Sequence, residues 1–163
     1  MNRRLFLSLL PVTLLAPRGI CLSFNPSFSG NPNFSGTWKQ SNERSTPTRT
    51  GEVTLKIEHR DPELTVQTLI VDKSGSLRHA LQHYTTDTKT SMSTGADGDE
   101  FYTSVSWNGQ SLVFSIEEHE DGRVIPSHET WTLIENGDVL ERKRSRADGR
   151  SQTILYLREV TPP

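Results

Sequence analysis

The strongest constraint on this chain is a recurrent two-residue turn. Asn108-Gly109, Asp121-Gly122, Asn136-Gly137 and Asp148-Gly149 each separate two short segments of alternating character. Asn-Gly and Asp-Gly provide the positive φ that a tight hairpin needs, and so short a link forces antiparallel neighbours. Phe101, Thr103, Val105 and Trp107 share one strand face, and Leu112, Phe114 and Ile116 form the facing strand. Upstream, Val53, Leu55, Ile57 and His59 alternate with Glu52, Thr54, Lys56 and Glu58. After a turn at Arg60-Asp61-Pro62, Leu64, Val66, Thr68 and Ile70 continue on one face.

The remaining segments fit the same plan. Phe34 to Gln40 reads as the first strand and Ser41 to Gly51, rich in hydroxyls, as a loop. Ser76 to Thr86 fits either a helix or a strand. The short flanking turns favour a strand, with Leu77, His79, Leu81 and His83 on one face. Thr90 to Ser93 can pair back briefly. Val124 to Glu135 is a strand in which Pro126 suggests an edge or bulge. Val139 to Arg146 pairs with Ser151 to Val160. The acidic run Glu117, Glu118, Glu120 and Asp121 reads as a solvated loop; alternation sends the basic run Arg142-Lys143-Arg144 with Arg146 to opposite faces, and it reads as a solvated edge that can pair with the acidic run. The sum is an all-β, antiparallel up-and-down meander of about 8–10 strands, which removes its edges by closing into a barrel.

Residues 1–21 have the plan of an export signal: Arg3 and Arg4, then an apolar centre from Leu5 to Ala16. Asn2-Arg3-Arg4-Leu5-Phe6-Leu7 also resembles a twin-arginine signal. Cys21 is the one cysteine, so no internal disulfide forms. A lipid anchor at Cys21 is disfavoured by Ile20, where a small residue is wanted. Residues 22–32 have a linker composition, and 33–161 form the barrel. The expected location is periplasmic or extracellular. No apolar stretch is long enough for a spanning helix. Removing Arg3, Arg4 and Arg18 from 18 basic residues leaves 15 against 20 acidic ones, which argues against nucleic acid as a partner.

Phe34 and Trp38 share a strand face, with Gly36 between them leaving room for a close approach. Phe34-Ser35-Gly36-Thr37-Trp38-Lys39 resembles the opening strand of the calycins, the lipocalin and fatty-acid-binding-protein group. The region from 33 to 160 is also similar to secreted bacterial proteins with a lipocalin-like domain. The resemblance implies a lipocalin-like barrel whose Gly-x-Trp element closes one end, with an arginine packed on the Trp face. Arg142, Arg144 and Arg158 all qualify. Arg158 is grouped with Phe34, Gly36 and Trp38 as the closure set. Neither the helix that follows a lipocalin barrel nor the helical lid of a fatty-acid-binding protein has a counterpart here.

For function, the interior face of such a barrel would place His59, Thr68, His79 and Tyr84 around a small, apolar ligand. The alternative is an envelope interaction module with a filled barrel. An enzyme on this scaffold ranks third, because no nucleophile elbow, phosphate loop or dinucleotide fingerprint is present. No cofactor is implied. His79 and His83 would lie about 13 Å apart on a strand, too far to share a zinc ion, so no metal site is assigned.

Overall fold

A computed structural model describes residues 30–48, 50–95 and 98–160. The signal assigned to 1–21 and most of the linker assigned to 22–32 lie outside the described residues. Ten antiparallel strands follow in chain order: β1 (Gly36–Thr46), β2 (Glu52–Arg60), β3 (Glu63–Val71), β4 (Leu77–Thr85) and β5 (Thr90–Thr94), then β6 (Glu100–Asn108), β7 (Ser111–Glu120), β8 (Arg123–Ile134), β9 (Val139–Arg146) and β10 (Ser151–Arg158). A 3-10 turn over Glu135–Gly137 joins β8 to β9. The sheet order is β4-β3-β2-β1-β10-β9-β8-β7-β6-β5, so β1 and β10 pair and the meander curls into a nearly closed barrel.

Closure is incomplete at one seam. β4 and β5 follow each other in sequence yet share no ladder. The backbone that links them bonds elsewhere: the Thr86 N–H donates to Pro62 O at 2.9 Å and the Thr88 N–H to Val105 O at 3.0 Å. β5 is also only five residues long. The connection is therefore tied to the β2–β3 turn and to β6, and does not zip its own strands together.

Three sequence readings change in detail. Ser41 to Thr46 is not a loop: β1 continues through a register shift between Ser41 and Thr46. Ser45 Oγ donates to Ser41 O at 2.6 Å and accepts from the Leu155 N–H at 3.2 Å, so a hydroxyl replaces a ladder bond. The acidic run is strand, because β7 extends through Glu120. Pro126 lies within a strand paired on both sides, but one residue beyond the last β8–β9 pair, Ser127↔Arg146, so it tolerates the missing donor there.

Phe34 and Trp38 are fully buried, with Leu55, Ile57, Leu64, Val66, Val105, Leu112 and Leu140. The Trp38 indole N–H donates to Phe34 O at 3.0 Å. The Arg158 guanidinium lies 4.1 Å from the Trp38 ring centroid. It also donates to Ser35 O at 2.7 Å and to Gly137 O at 3.0 Å. Gly36, at φ +143, makes this possible, because a Cβ there would come within 2.7 Å of Arg158 Nη1. Arg142 stacks on Trp131 instead, at 4.6 Å.

The Trp38→Ala variant is expected to lose about 3–5 kcal/mol of stability through the cavity left in this packing. Urea unfolding checks this, and an unchanged midpoint would remove Trp38 from the fold's foundation.

Candidate functional site

Arg142, Arg144 and Arg146 have even spacing on β9, so all three side chains take the same face of the strand. That face is the barrel interior. They are only partly exposed, while Lys143 between them is open to solvent. The sequence reading of a solvated edge is therefore corrected: the run is split between the two faces, with the arginines inside. Two glutamates meet them, Glu129 on the adjacent strand β8 and Glu118 on β7, one strand further on. Arg142 Nε bonds Glu129 Oε1 at 2.6 Å, and the Trp131 indole donates to the same oxygen at 2.5 Å. Nearer the open end, Arg146 Nη2 bonds Glu118 Oε2 at 2.5 Å.

Arg144 sits between these pairs without a carboxylate of its own. Its Nη2 is 3.7 Å from the Glu118 oxygen that Arg146 already holds, and 3.0 Å from Ser127 Oγ, to which it donates. Three inward guanidiniums thus face two buried carboxylates. Burial disfavours the charge on Glu129, but Arg142, the two hydrogen bonds and Arg144 outweigh it and hold the carboxyl below its ordinary range. Arg144 shows the opposite balance. Burial pulls its pKa down, and Glu129 only partly compensates.

Beside this row lies a cavity of about 260 Å³. Val66, Phe101, Phe114, Ile116 and Trp131 form its apolar walls. Thr68, Gln82, Tyr84, Glu129, Arg142 and Arg144 supply polar groups. Burial pushes the Tyr84 hydroxyl up to about 12, so it stays protonated. Tyr84 packs edge-on against Phe114, with ring centroids 5.6 Å apart. Arg144 also lines a basin of about 570 Å³ with Pro47, Arg146, Arg150, Ser151 and Gln152. It therefore stands between the inner cavity and the rim.

The four residues singled out from sequence divide. Thr68 and Tyr84 line the cavity together. His79 does not join them. On β4 it has the opposite parity to Gln82 and Tyr84, and Leu77, His79, Leu81 and His83 are all exposed on the outer face. The inner face of β4 is the more polar one, which reverses the sequence reading. His59 is buried at the closed end, below the cavity. Its Nδ1 accepts the Phe34 N–H at 3.3 Å, so the proton of the neutral ring sits on Nε2. That atom has no hydrogen-bond partner and lies 3.9 Å from Asp61 Oδ1. Asp61 itself is held by Thr86, Trp107 and Asn31. Sequence reasoning missed Glu129, while a pairing of the basic run with the acidic run, which contains Glu118, is what Arg146 makes. The even-spaced arginines were the signal, and the β7–β8 and β8–β9 registers together bring both glutamates to them.

No family model matches the chain, and no curated protein matches it. Solved structures do. The chain is similar to secretory abundant heat soluble protein 4 from Ramazzottius varieornatus, with TM-score 0.62, 15% identity, and coverage of 80% of this chain and 97% of that one. It is similar to the REP1-NXSQ fatty acid transporter, with TM-score 0.59, 11% identity, and coverage of 79% and 98%. A fatty acid binding protein from Schistosoma mansoni, solved with arachidonic acid, aligns with TM-score 0.58, 14% identity, and coverage of 78% and 96%. These likenesses show that the chain shares its fold, an antiparallel up-and-down β-barrel, with these proteins.

Two stability measurements test the site's electrostatics. Breaking the buried pair with Glu129→Ala is expected to cost about 3–5 kcal/mol, whereas replacing both partners (Glu129→Leu with Arg142→Met) costs far less. Equal losses in urea titrations would refute that coupling. For His59, burial lowers the folded pKa below 6.5, with Asp61 opposing in part. The unfolded chain therefore takes up the proton first. Stability is complete above pH 6.5 and is lost as pH falls through that value toward the lowered folded one. A His59→Gln variant, which cannot titrate, is expected to show a flatter unfolding midpoint across that window.

Proposed function

We propose that this protein binds one small molecule with an apolar body and a single anionic group, held inside the barrel with the anion on Arg144. The observation that carries this reading is a guanidinium that lines a cavity and lacks a carboxylate of its own. A guanidinium that only shares a carboxylate held more closely by a second arginine is under-compensated in a partly dry site, which costs free energy, and an incoming anion relieves that cost. The walls of Val66, Phe101 and Ile116 suit the apolar part. The volume argues for a small ligand, since pockets for drug-sized molecules begin at about 300 Å³. The fold is shared with a fatty acid transporter and a fatty acid binding protein, which supports the reading by analogy. Binding is favoured over catalysis because Glu129, the carboxylate of the cavity, is already held by Arg142 and Trp131. Export is part of the proposal and rests on Arg3, Arg4 and the Leu5-to-Ala16 stretch.

A second reading follows from the same small volume. Glu129, Arg142, Trp131 and Phe114 fill much of the interior, as in a barrel that serves as an interaction module and holds no ligand. One experiment separates the two. Thermal shift and calorimetry with short alkyl carboxylates and alcohols of matched length are expected to show saturable binding of the carboxylates. Arg144→Gln should weaken that binding about ten- to a hundredfold, the scale of a charged hydrogen bond, and leave the weaker alcohol binding unchanged. No saturable response from any member of the series would favour the filled barrel.

A further inference from the structure

We propose that the first half of β4 is an interface, and that its partner is the same strand of a second copy of this chain. β4 is bonded on one side only, to β3. Its residues Leu77, Arg78, His79, Ala80 and Leu81 are all exposed, on both faces of the strand. Among the described strands no other has five exposed residues in a row. A strand open along one edge and on both faces is a template for another strand, and proteins normally guard such edges with charged side chains, proline or a bulge. β4 has a single charge, Arg78, and no lysine, proline or bulge. Its ladder to β3 runs unbroken from Leu77↔Val71 to Thr85↔Glu63.

The side chains favour a copy of the same strand. On the outer face the β3–β4 register sets Leu77 beside Val71, His79 beside Leu69 and Leu81 beside Gln67. Leu77, Leu81 and Leu69 are 63%, 49% and 37% exposed. None of these six positions carries a permanent charge. The rest of the chain beyond residue 21 is net acidic, with 15 basic against 20 acidic residues, so copies repel except across an uncharged face. An antiparallel two-fold centred on His79 sets Leu77 opposite Leu81, twice, and Arg78 opposite Ala80. His79 faces its own copy, no two permanent charges meet, and the leucines meet leucines. This register uses only the half of β4 that precedes Gln82, leaving the half that leads into β5 free.

Sedimentation velocity of the full chain across a wide concentration range is expected to show a reversible dimer. The Leu77→Lys/Leu81→Lys double variant should sediment as a monomer with an unchanged melting temperature, because both positions are exposed. Val124→Lys, at an exposed apolar position on β8, should leave the dimer intact. Residues directly opposite across the two-fold bring their Cβ atoms to about 4.5–5.5 Å, close to disulfide geometry. Thus His79→Cys in a Cys21→Ser chain should oxidise to a covalent dimer, and Val124→Cys in the same background should not. A monomer at every concentration, a dimer that survives the double lysine change, or a His79→Cys chain that stays monomeric under oxidation would each overturn the proposal. Should the lysine variant not fold, the cysteine pair still decides.

Discussion

The contact between Arg158 and Trp38 organises this barrel. Its parts come from the two ends of the sheet. Trp38 is on β1 and Arg158 on β10, and the two residues are register partners. One guanidinium lies over the indole and reaches both Ser35 O and Gly137 O. The cation–π contact alone is worth about 0.5–2 kcal/mol. Its structural effect is larger, because it ties the opening strand, the closing strand and the β8–β9 turn at a single point. Phe34, whose carbonyl accepts the Trp38 indole N–H, then plugs the floor against His59 and Trp107. Once β1 is fixed to β10, every other strand takes its place by a hairpin.

That arrangement gives the two ends of the barrel opposite electrostatic character. At the floor, donors and acceptors are matched apart from His59 Nε2. Asp61 gathers Thr86, Trp107 and Asn31, and the indole of Trp38 and the guanidinium of Arg158 are satisfied by backbone carbonyls. Toward the mouth the balance changes. β9 sends three arginines inward against Glu129 and Glu118, and Arg144 is left sharing an oxygen that Arg146 holds more closely. A fold needs its charges neutralised; it does not need one in excess. The excess at Arg144 is therefore the feature that packing alone does not explain.

Much of the fold was legible because the turns are local. Asn108-Gly109 and Asp121-Gly122 specify hairpins within a few residues, and the inward faces of β2, β3 and β6 follow from simple alternation. What failed was information held by distant partners. The parity of Arg142, Arg144 and Arg146 was readable, and so was the acidic run with Glu118 as a pairing partner, but nothing near them in sequence says that this pairing, or Glu129, lies inside the barrel. A charged run whose partner's side of the sheet is unknown reads as solvent-facing. β4 failed for a different reason. Its odd-numbered face is the more apolar, so a burial rule turns Leu77 and Leu81 inward. The ladder to β3 and the cavity side of Tyr84 and Gln82 decide otherwise. Thr68 and Tyr84 both line the cavity, on the inward faces of β3 and β4, and Tyr84 packs against Phe114 there.

The misreading of β4 and the open seam have one origin. A meander closed on every side would bury an apolar outer strip only by chance, and would gain little from one. Here the β4–β5 link spends its hydrogen bonds on Pro62 and Val105, so the barrel stops one ladder short of closure. The strand left at the margin keeps unpaired backbone along its edge and leucines on its outer face. In a monomer both are liabilities, since exposed strand edges invite pairing and exposed leucines gain from burial. The two coincide over the same five residues, Leu77 to Leu81, where one contact would satisfy backbone and side chains together. The clasp at Arg158 and Trp38 thus does more than close the floor. By fixing β1 to β10 it places the break in the sheet at the far side, between β4 and β5, where the chain is free to meet another strand.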